Sequence, residues 1–314
     1  MGRLVAAGYP ANLFIVNPSV PSGGSYLITD WGKSFYDAGQ VEYRRRMASG
    51  LTVQTSYVFS KSLADGATSS GVVYSAPTTF RNLGLDKAPA GFDIRNAFKI
   101  NFIYELPFGT GKALLSGSGF ANKVFGGWQL SGIERTQSGT PSQITSGRTG
   151  MNQNETGVVL QNMTAAQLQS QMSVYKTTGS NGIGQVWYLP QSLVTNTKAA
   201  FETSGSSWAN LSGSSPYVGP QLAPNSFGYK VFLYGPWQNH FDVSLRKMVT
   251  FAHEKANLSV QANCIDCLNL TNFQLANTGA NSASFGLTTT AYQDISNSQD
   301  PGSRVIEFLA RVNF

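Results

Sequence analysis

The residues of this chain that could carry chemistry are few, and their spacing does not suit catalysis. His240 and His253 stand at the ends of different predicted strands with no spacing that indicates a shared metal, so we interpret both as surface or loop-rim residues. The chain contains no G-x-S-x-G turn. Gly109-Thr-Gly-Lys112 lacks the glycine that a phosphate-binding loop needs at the position of Leu106. The sequence therefore predicts no enzyme, no metal site and no cofactor.

The two cysteines form a C-x-x-C pair, Cys264 and Cys267, at the end of a predicted strand. Residues three apart on a strand point to opposite faces. A disulfide would therefore require the strand to end between the two cysteines. We favour a structural pair of thiols, with the disulfide as the alternative.

The composition excludes several classes of protein. Of the 314 residues, 41% are hydrophobic, 12% aromatic and 12% charged, whereas an ordinary soluble domain carries roughly 25% charged residues. Abundant aromatic residues exclude a disordered chain, and a run of about 18 apolar residues is missing, which excludes a spanning helix. The net charge of +6 is scattered apart from Arg44–Arg46, which we interpret as a solvated turn. We therefore expect no nucleic-acid partner.

Seven segments alternate apolar and polar residues with period two, as a strand with two different faces does. The pattern drifts at Gly132 and Ile133, where we expect a bulge. Counted with the residues at their ends, the strands reach a length of roughly 9–11 residues, which is enough to cross a bilayer at a tilt. The predicted strands lie at Tyr36–Arg46, Leu51–Ser60, Ile94–Leu106, Trp128–Gln137, Phe241–Arg246, Leu258–Cys264 and Ile306–Phe314.

The connections between these strands alternate in length. Met47–Gly50 and Thr250–Lys255 are short, and Pro107–Gly126 is intermediate and Gly-rich. The connections on the other side are long and rich in Ser, Asn and Gly, above all residues 139–238. Short periplasmic turns opposite long extracellular loops are typical of an outer-membrane barrel. Within the longest loop, the pattern predicts helices over Thr164–Met172, with Thr164 as N-cap, and over Pro190–Phe201, with a short strand near Gln185–Leu189.

Aromatic residues of the apolar faces give an independent indication. If Met47–Gly50 is periplasmic, the aromatic residues nearest that side fall at one level although their strands run in opposite directions. An interfacial girdle predicts this arrangement. The alternative is a soluble sandwich core, which the polar residues Arg95, Lys99 and Glu105 of the opposite face disfavour. The predicted girdle consists of Tyr43, Tyr104, Trp128 and Phe314.

The order of several motifs resembles the TonB-dependent outer-membrane receptors, and within them the Oar-like branch. The likeness begins with a hairpin and continues through Gly-rich turns to the last four residues, so it covers nearly the whole chain. The motifs are Ser34–Arg46, Gly50–Ser62, Phe92–Arg95, Tyr104–Gly109, Gly126–Gly132, Gln137–Pro141, Leu233–Pro236, Phe241–Leu245 and Arg311–Phe314.

The resemblance implies a fold and a location. The chain would be all-β, a partial transmembrane antiparallel barrel of about seven strands with long extracellular loops, placed in lipid of the bacterial outer membrane. Residues 1–314 would be the C-terminal part of the receptor barrel, with the plug and the TonB box N-terminal to it. Residues 304–314 resemble the C-terminal signal that the barrel assembly machinery reads, through Phe308, Ala310, Val312 and Phe314.

The resemblance also implies a function. Such a receptor imports a scarce, bulky solute (a glycan, a peptide or a metal chelate) with energy from TonB–ExbB–ExbD. We expect the unknown solute to contact loop aromatics, namely Trp187, Tyr188, Trp208 and Tyr217, although such residues also pack loops. The alternative function is a non-transporting surface barrel, an adhesin or a secretion-linked protein, that binds partners through its loops.

Overall fold

The computed structural model describes residues 6–8, 30, 32–65, 82–117, 119–146, 157–179, 182–201, 213–221, 228–251, 256–273, 276–288 and 303–313. The chain divides into two compact units, residues 1–33 and residues 34–314. The first unit contributes only residues 6–8, 30, 32 and 33 to the described part. All strands and helices named below belong to the second unit.

Seven long strands form one antiparallel sheet in sequence order, which confirms the predicted architecture. Among the described residues the sheet does not close into a barrel, because the first strand pairs only with the second and the last only with the sixth. A short strand, Lys87–Pro89, follows a 3-10 helix at Leu83–Asp86 and pairs with the end of the second strand. The long strands are β1 (Ser34–Ala48), β2 (Leu51–Asp65), β3 (Asn96–Glu105), β4 (Trp128–Gln137), β5 (Gln238–Phe251), β6 (Ala256–Ile265) and β7 (Val305–Asn313).

The register of the sheet keeps most apolar residues of the strands on one side, with Ile103, Ile133 and Leu309 on the other. One row of partners from β2 to β7 reads Val53, Phe102, Gly132, Val243, Cys264 and Ile306. The adjacent row reads Thr52, Ile103, Ser131, Ser244, Asn263 and Glu307. A shift of one residue would exchange the two faces. We call them the apolar face and the polar wall.

The bulge expected at Gly132 and Ile133 is absent, since β4 keeps an unbroken register with both β3 and β5. Gly132 stays on the apolar face, where a Cβ would lie 2.6 Å from the ring of Phe102. The apparent drift in the sequence therefore reflects a glycine covered by an aromatic ring. The register shifts instead in β1, between Arg45 and Ala48, beside the turn to β2.

The described part of the connection between β4 and β5 has its own hydrophobic core. We define the loop domain as residues 138–237 together with residues 272–288. Helix α1 (Phe120–Phe125) lies earlier, between β3 and β4, and the loop domain contains helices α2 (Ala165–Ser170) and α3 (Gln191–Phe201). Its short strands are Pro141–Gln143, Val158–Gln161, Tyr175–Thr178, Gly184–Trp187, Tyr217–Pro220, Phe232–Tyr234 and Leu287–Thr288. Its core contains Ile144, Val158, Leu168, Trp187, Leu189, Leu193, Val194, Val218, Val231, Leu233, Ala280 and Phe285.

The two helices expected in this loop are present. Thr164 caps α2 through its hydroxyl, which accepts from the backbone N–H of Gln167, while the Gln167 side chain accepts from the Thr164 backbone. This reciprocal capping box satisfies two backbone donors at the start of the helix. Helix α3 buries Leu193, Val194 and Ala200 on one side. In the described part of the chain, every helix is too short or too polar to cross a membrane.

Cys264 and Cys267 form a disulfide, so the preference for free thiols was wrong. Strand β6 ends at Ile265, between the two cysteines. Asp266 then takes a left-handed backbone conformation with φ of 44°, which turns the chain and brings the second sulfur back to the first. A disulfide of this kind persists in an oxidising compartment such as the periplasm or the cell surface.

Candidate functional site

The polar wall is held together by hydrogen bonds between side chains of neighbouring strands. Across β5, β6 and β7, Ser244 donates to Asn263 at 2.8 Å, and Asn263 donates to Glu307 at 3.5 Å. Arg246 Nε donates to the hydroxyl of Ser259 at 2.8 Å. These cross-strand pairs keep the side chains upright on the sheet. The result is a surface of mixed donors and acceptors suited to contact with water or a polar solute.

The same wall carries charges of both signs on β1 to β3. The guanidinium of Arg44 lies 2.7 Å from the carboxylate of Glu42, which also accepts from Gln54 at 2.9 Å. Near the end of β3, Lys112 Nζ lies 2.5 Å from Glu105. These pairs are partly exposed and contribute little to stability. Their charge balance leaves the wall polar without a strong field of one sign.

The apolar face carries large side chains that stay exposed. Val41 is 69% exposed and Phe308 is 80% exposed. Contiguous exposed apolar surface of this kind marks contact with a partner or with lipid. Exposed apolar residues of this face occur on β1, β2, β5, β6 and β7, and those of β3 and β4 are half-buried. The apolar face is therefore a candidate surface for contact with an apolar phase.

Three of the four predicted girdle residues lie on the apolar face along a diagonal. Across the sheet, Tyr43 of β1 is aligned with Ile100 of β3, two strands away. Tyr104 lies four residues beyond Ile100 on β3. Tyr104 pairs with Leu130, and Trp128 stands two residues beyond, one strand further on. The displacement is two residues per strand in both steps. Barrel strands tilt by roughly 35–45°, so a level line in a membrane shifts by about 1–1.5 residues per strand. The observed diagonal is steeper, and the girdle stays a prediction. Phe314 lies outside the described residues.

Trp128 is fixed by contacts with the turn that precedes it. Its indole N–H donates to the carbonyl of Val124 at 3.0 Å, at the end of helix α1 (Phe120–Phe125). The ammonium of Lys247 lies 5.1 Å from the centroid of the Trp128 ring, within the range of a cation–π contact. The same ammonium donates to the carbonyl of Lys123 at 2.7 Å and also to that of Val124. A cation here stabilises the C-terminal end of the helix.

Three of the four residues proposed as the assembly signal occupy one side of β7. Phe308, Ala310 and Val312 lie on the apolar face, opposite Ala262, Val260 and Leu258 of β6. Phe314 again lies outside the described residues. The strand forms an edge of the sheet, so a recognition role for its outer side stays a prediction.

A buried carboxylate joins the loop domain to the rim of the sheet. The Asp93 side chain accepts from the backbone N–H of Ser62 at 2.6 Å and from Arg95 Nε at 2.8 Å. The hydroxyl of Tyr234, from the loop domain, donates to Asp93 at 3.2 Å and accepts from Arg95 Nη2 at 3.0 Å. Burial raises the pKa of Tyr234, so the phenol stays protonated at neutral pH. We call these four residues the rim junction.

Sequence reasoning missed the rim junction. It assigned Arg95 to the polar wall, but β3 begins only at Asn96, and Arg95 is held between Asp93 and Tyr234. The D-x-R spacing was the local signal for one half of the contact. The other half comes from Tyr234, far along the chain, and only the tertiary fold brings it there. Nearby, Lys230 of the loop domain lies 2.5 Å from Asp86, a second ion pair between the loop domain and the rim.

His240 is buried, so its interpretation as a surface residue was wrong. It is 2% exposed, and its Nε2 lies 2.9 Å from the carboxylate of Asp242. The polar wall is covered at the end where β5 begins, and Gln238, Ser138 and Asn272 are buried there as well. His253 lies outside the described residues. Within the described ranges, no group of three His, Cys, Asp or Glu residues gathers to hold a metal ion.

The predicted solute-binding aromatics have different surroundings. Trp187 and Tyr188 are 8% and 1% exposed inside the loop domain. The Tyr188 ring meets Phe273 edge to face, with centroids 6.5 Å apart, and burial raises its pKa to about 12. Both rings therefore pack inside the loop domain. Tyr217 is half-buried in a short strand beside Gln161, and Trp208 lies outside the described residues.

An open antiparallel sheet with an apolar face, a polar wall and a large loop domain at one end defines the wall of an outer-membrane β-barrel. Residues 7–306 match the family model of the outer membrane beta barrel domain. The chain belongs to this family and is a protein of the bacterial outer membrane. No curated protein matches the sequence, and no solved structure matches it. The apolar face is accordingly the lipid-facing side of the sheet, and the polar wall faces the lumen.

Proposed function

We propose that this chain forms barrel wall and extracellular loops of a TonB-dependent receptor that imports a scarce, bulky solute. The supporting observation is the combination of a polar, hydrogen-bonded wall with a folded loop domain held at its extracellular end by the rim junction. The ordered motifs that resemble TonB-dependent receptors supply the second line of support. The solute is a glycan, a peptide or a metal chelate.

In this proposal each surface has its own task. The polar wall lines the solute path, where Arg246, Asn263 and Glu307 offer hydrogen bonds to polar groups. The loop domain covers the outer end of the path and selects the solute. A plug and a TonB box, N-terminal to the barrel, couple import to TonB–ExbB–ExbD. The chain needs no enzymatic chemistry for this task, and we propose that it has none.

Binding to TonB is the direct test. The full-length protein, extracted from outer membranes in detergent, is passed over immobilised C-terminal domain of TonB. Specific retention, abolished by deletion of the TonB box, is the expected result. An outer-membrane barrel of another family is the control for retention by detergent micelles. Elution of the full-length protein together with that control would overturn the energy coupling.

A second candidate is a non-transporting surface barrel, an adhesin or a secretion-linked protein. The observation that favours it is the loop domain itself, which has a core that includes Ile144, Leu168 and Phe285, all fully buried. A rigid surface domain suits stable contact with a macromolecule. This candidate predicts that cells keep their surface binding when TonB is deleted, whereas a receptor loses solute uptake.

The role of the loop domain can be separated from barrel assembly. Gln137 and Gln238 are direct partners in β4 and β5, so a short Gly-Ser turn can replace residues 138–237 and preserve the strand register. We expect the shortened protein to assemble in the outer membrane. Loss of solute uptake or surface binding in that protein would assign recognition to the loop domain. Unchanged uptake and binding would remove the recognition role of the loop domain from the proposal.

A further inference from the structure

The connection between β3 and β4 carries more exposed apolar surface than a periplasmic turn requires. We define the interfacial turn as residues 106–117 and 119–127, which lie at the same end of the strands as the β1–β2 turn. Phe120 is 82% exposed and Phe125 is 55% exposed. Short turns are the rule on the periplasmic side of outer-membrane barrels. The exposed apolar residues of the interfacial turn are Leu114, Leu115, Phe120, Val124 and Phe125.

The interfacial turn is fixed against the lipid-facing side of the sheet. Trp128 and Lys247 both lie on the apolar face, and both donate hydrogen bonds to the last carbonyls of α1. Gly127 adopts φ of 72° and approaches β5 so closely that a Cβ would lie 2.6 Å from the carbonyl oxygen of Met248. The backbone N–H of Met248 in turn donates to the Gly127 carbonyl at 3.1 Å. Helix α1 therefore has a defined position at the border of the apolar face that lies nearest the β1–β2 turn.

The charges near the helix complement an anionic surface. Helix α1 (Phe-Ala-Asn-Lys-Val-Phe) contains one basic residue, Lys123, and no acidic residue. Lys247 adds a second cation at the same border. Aromatic and basic residues at the edge of an apolar band are typical of the membrane–water interface, where the rings contact acyl chains and the ammonium groups contact lipid phosphates.

We infer that the interfacial turn lies in the headgroup region of the periplasmic leaflet, with phospholipid as its occupant. Continuity with the lipid-facing side of the sheet supports lipid over a protein partner, because Trp128 and Lys247 belong to both surfaces. A short segment with exposed Phe and Leu and with flanking lysines fits the chemistry of an interfacial helix. The turn anchors the barrel at a fixed depth, independently of any transported solute.

Spin labels measure that depth directly. The two cysteines of this chain are both in the disulfide, so Phe120→Cys and Phe125→Cys each provide one labelling site in it. Val41→Cys on the apolar face is the reference for the acyl region, and Ser49→Cys in the β1–β2 turn is the reference for water. Each labelled protein is reconstituted in vesicles of phosphatidylethanolamine and phosphatidylglycerol. Power saturation with oxygen and with a water-soluble nickel chelate then gives the depth.

We expect the labels at positions 120 and 125 to lie about 5–10 Å into the headgroup and acyl boundary, between the depths of the two reference labels. Nickel accessibility equal to that of Ser49→Cys at both positions would overturn the inference. Dipolar broadening from a neighbouring label would indicate a second copy of the chain and would overturn it as well. The result does not depend on TonB binding, so the two proposals fail separately.

Discussion

The hydroxyl of Tyr234 lies 3.0 Å from Nη2 of Arg95 and 3.2 Å from the carboxylate of Asp93. One phenol thus accepts from a cation and donates to an anion, and it joins the loop domain to the rim of the sheet. The Asp93 side chain is fully buried in this contact. A buried charge needs its partners, so the rim junction holds the loop domain in one position above the barrel wall.

Replacement of Tyr234 by Phe tests this junction. The ring remains, but both hydrogen bonds to charged groups are lost, and such a bond contributes roughly 1.5–3 kcal/mol. We expect the loop domain to open more often and to be cleaved by trypsin at least about tenfold faster. Tyr229→Phe is the matched control, because Tyr229 is 71% exposed in the same domain. Equal cleavage rates for the two variants would contradict the junction.

Replacement of Tyr188 by Phe should not destabilise the loop domain at neutral pH. The hydroxyl of Tyr188 is buried and has no hydrogen-bond partner among the described residues. An unpaired buried hydroxyl costs free energy, so its removal is neutral or stabilising. Thermal unfolding of the loop domain, followed by near-UV circular dichroism, measures the change. A loss of more than about 1 kcal/mol would indicate a hidden partner.

The same variant should change the response to alkaline pH. The pKa of Tyr188 is raised to about 12 by burial, whereas an unfolded tyrosine has a pKa of about 10. Below pH 10 the phenol is protonated in both states and its contribution to stability is complete. Between pH 10 and 12 the unfolded state ionises first, so stability falls. Tyr188→Phe should flatten this part of the pH–stability curve, and an unchanged slope would contradict the assignment.

Gly132 should tolerate no side chain on the lipid-facing side of β4. A Cβ would lie 2.6 Å from the Phe102 ring and 3.1 Å from the carbonyl oxygen of Asp242, and overpacking of this kind costs about 1–3 kcal/mol. We expect Gly132→Ala to reduce the fraction of folded, heat-modifiable protein in outer membranes. Gly39→Ala on the same side of β1 meets nothing within 4 Å and should assemble normally. Addition of Phe102→Leu should restore part of the Gly132→Ala defect.

The N-cap of α2 should contribute to the stability of the loop domain. Thr164→Ala removes the hydroxyl that accepts from Gln167, which costs about 1 kcal/mol at such a position. We expect a lower midpoint of thermal unfolding for the loop domain. Thr195→Ala makes the same replacement at an exposed site inside α3, where alanine favours the helix. If the cap contributes to stability, the two variants shift the midpoint of thermal unfolding in opposite directions.

Local patterns in the sequence predicted the sheet well. Alternation of apolar and polar residues is a property of neighbouring positions, so it located all seven long strands and their two faces. Capping is local too, and Thr164 marked the start of a helix correctly. The asymmetry of turns and loops predicted the outer-membrane barrel, which the family match confirms.

Contacts between distant segments could be found only in the tertiary structure. Tyr234 meets Arg95 across 139 positions of the chain, and no local pattern encodes such a pair. The ring of Phe102 explains Gly132 only after strand pairing, and Asp266 makes the Cys264–Cys267 disulfide possible only through its backbone turn. Whether Trp187 and Tyr188 pack the loop could not be decided locally, because burial depends on the segments that pack around them. Periodicity therefore determined the sheet and its faces, whereas long-range packing decided which polar and aromatic groups remain available for function.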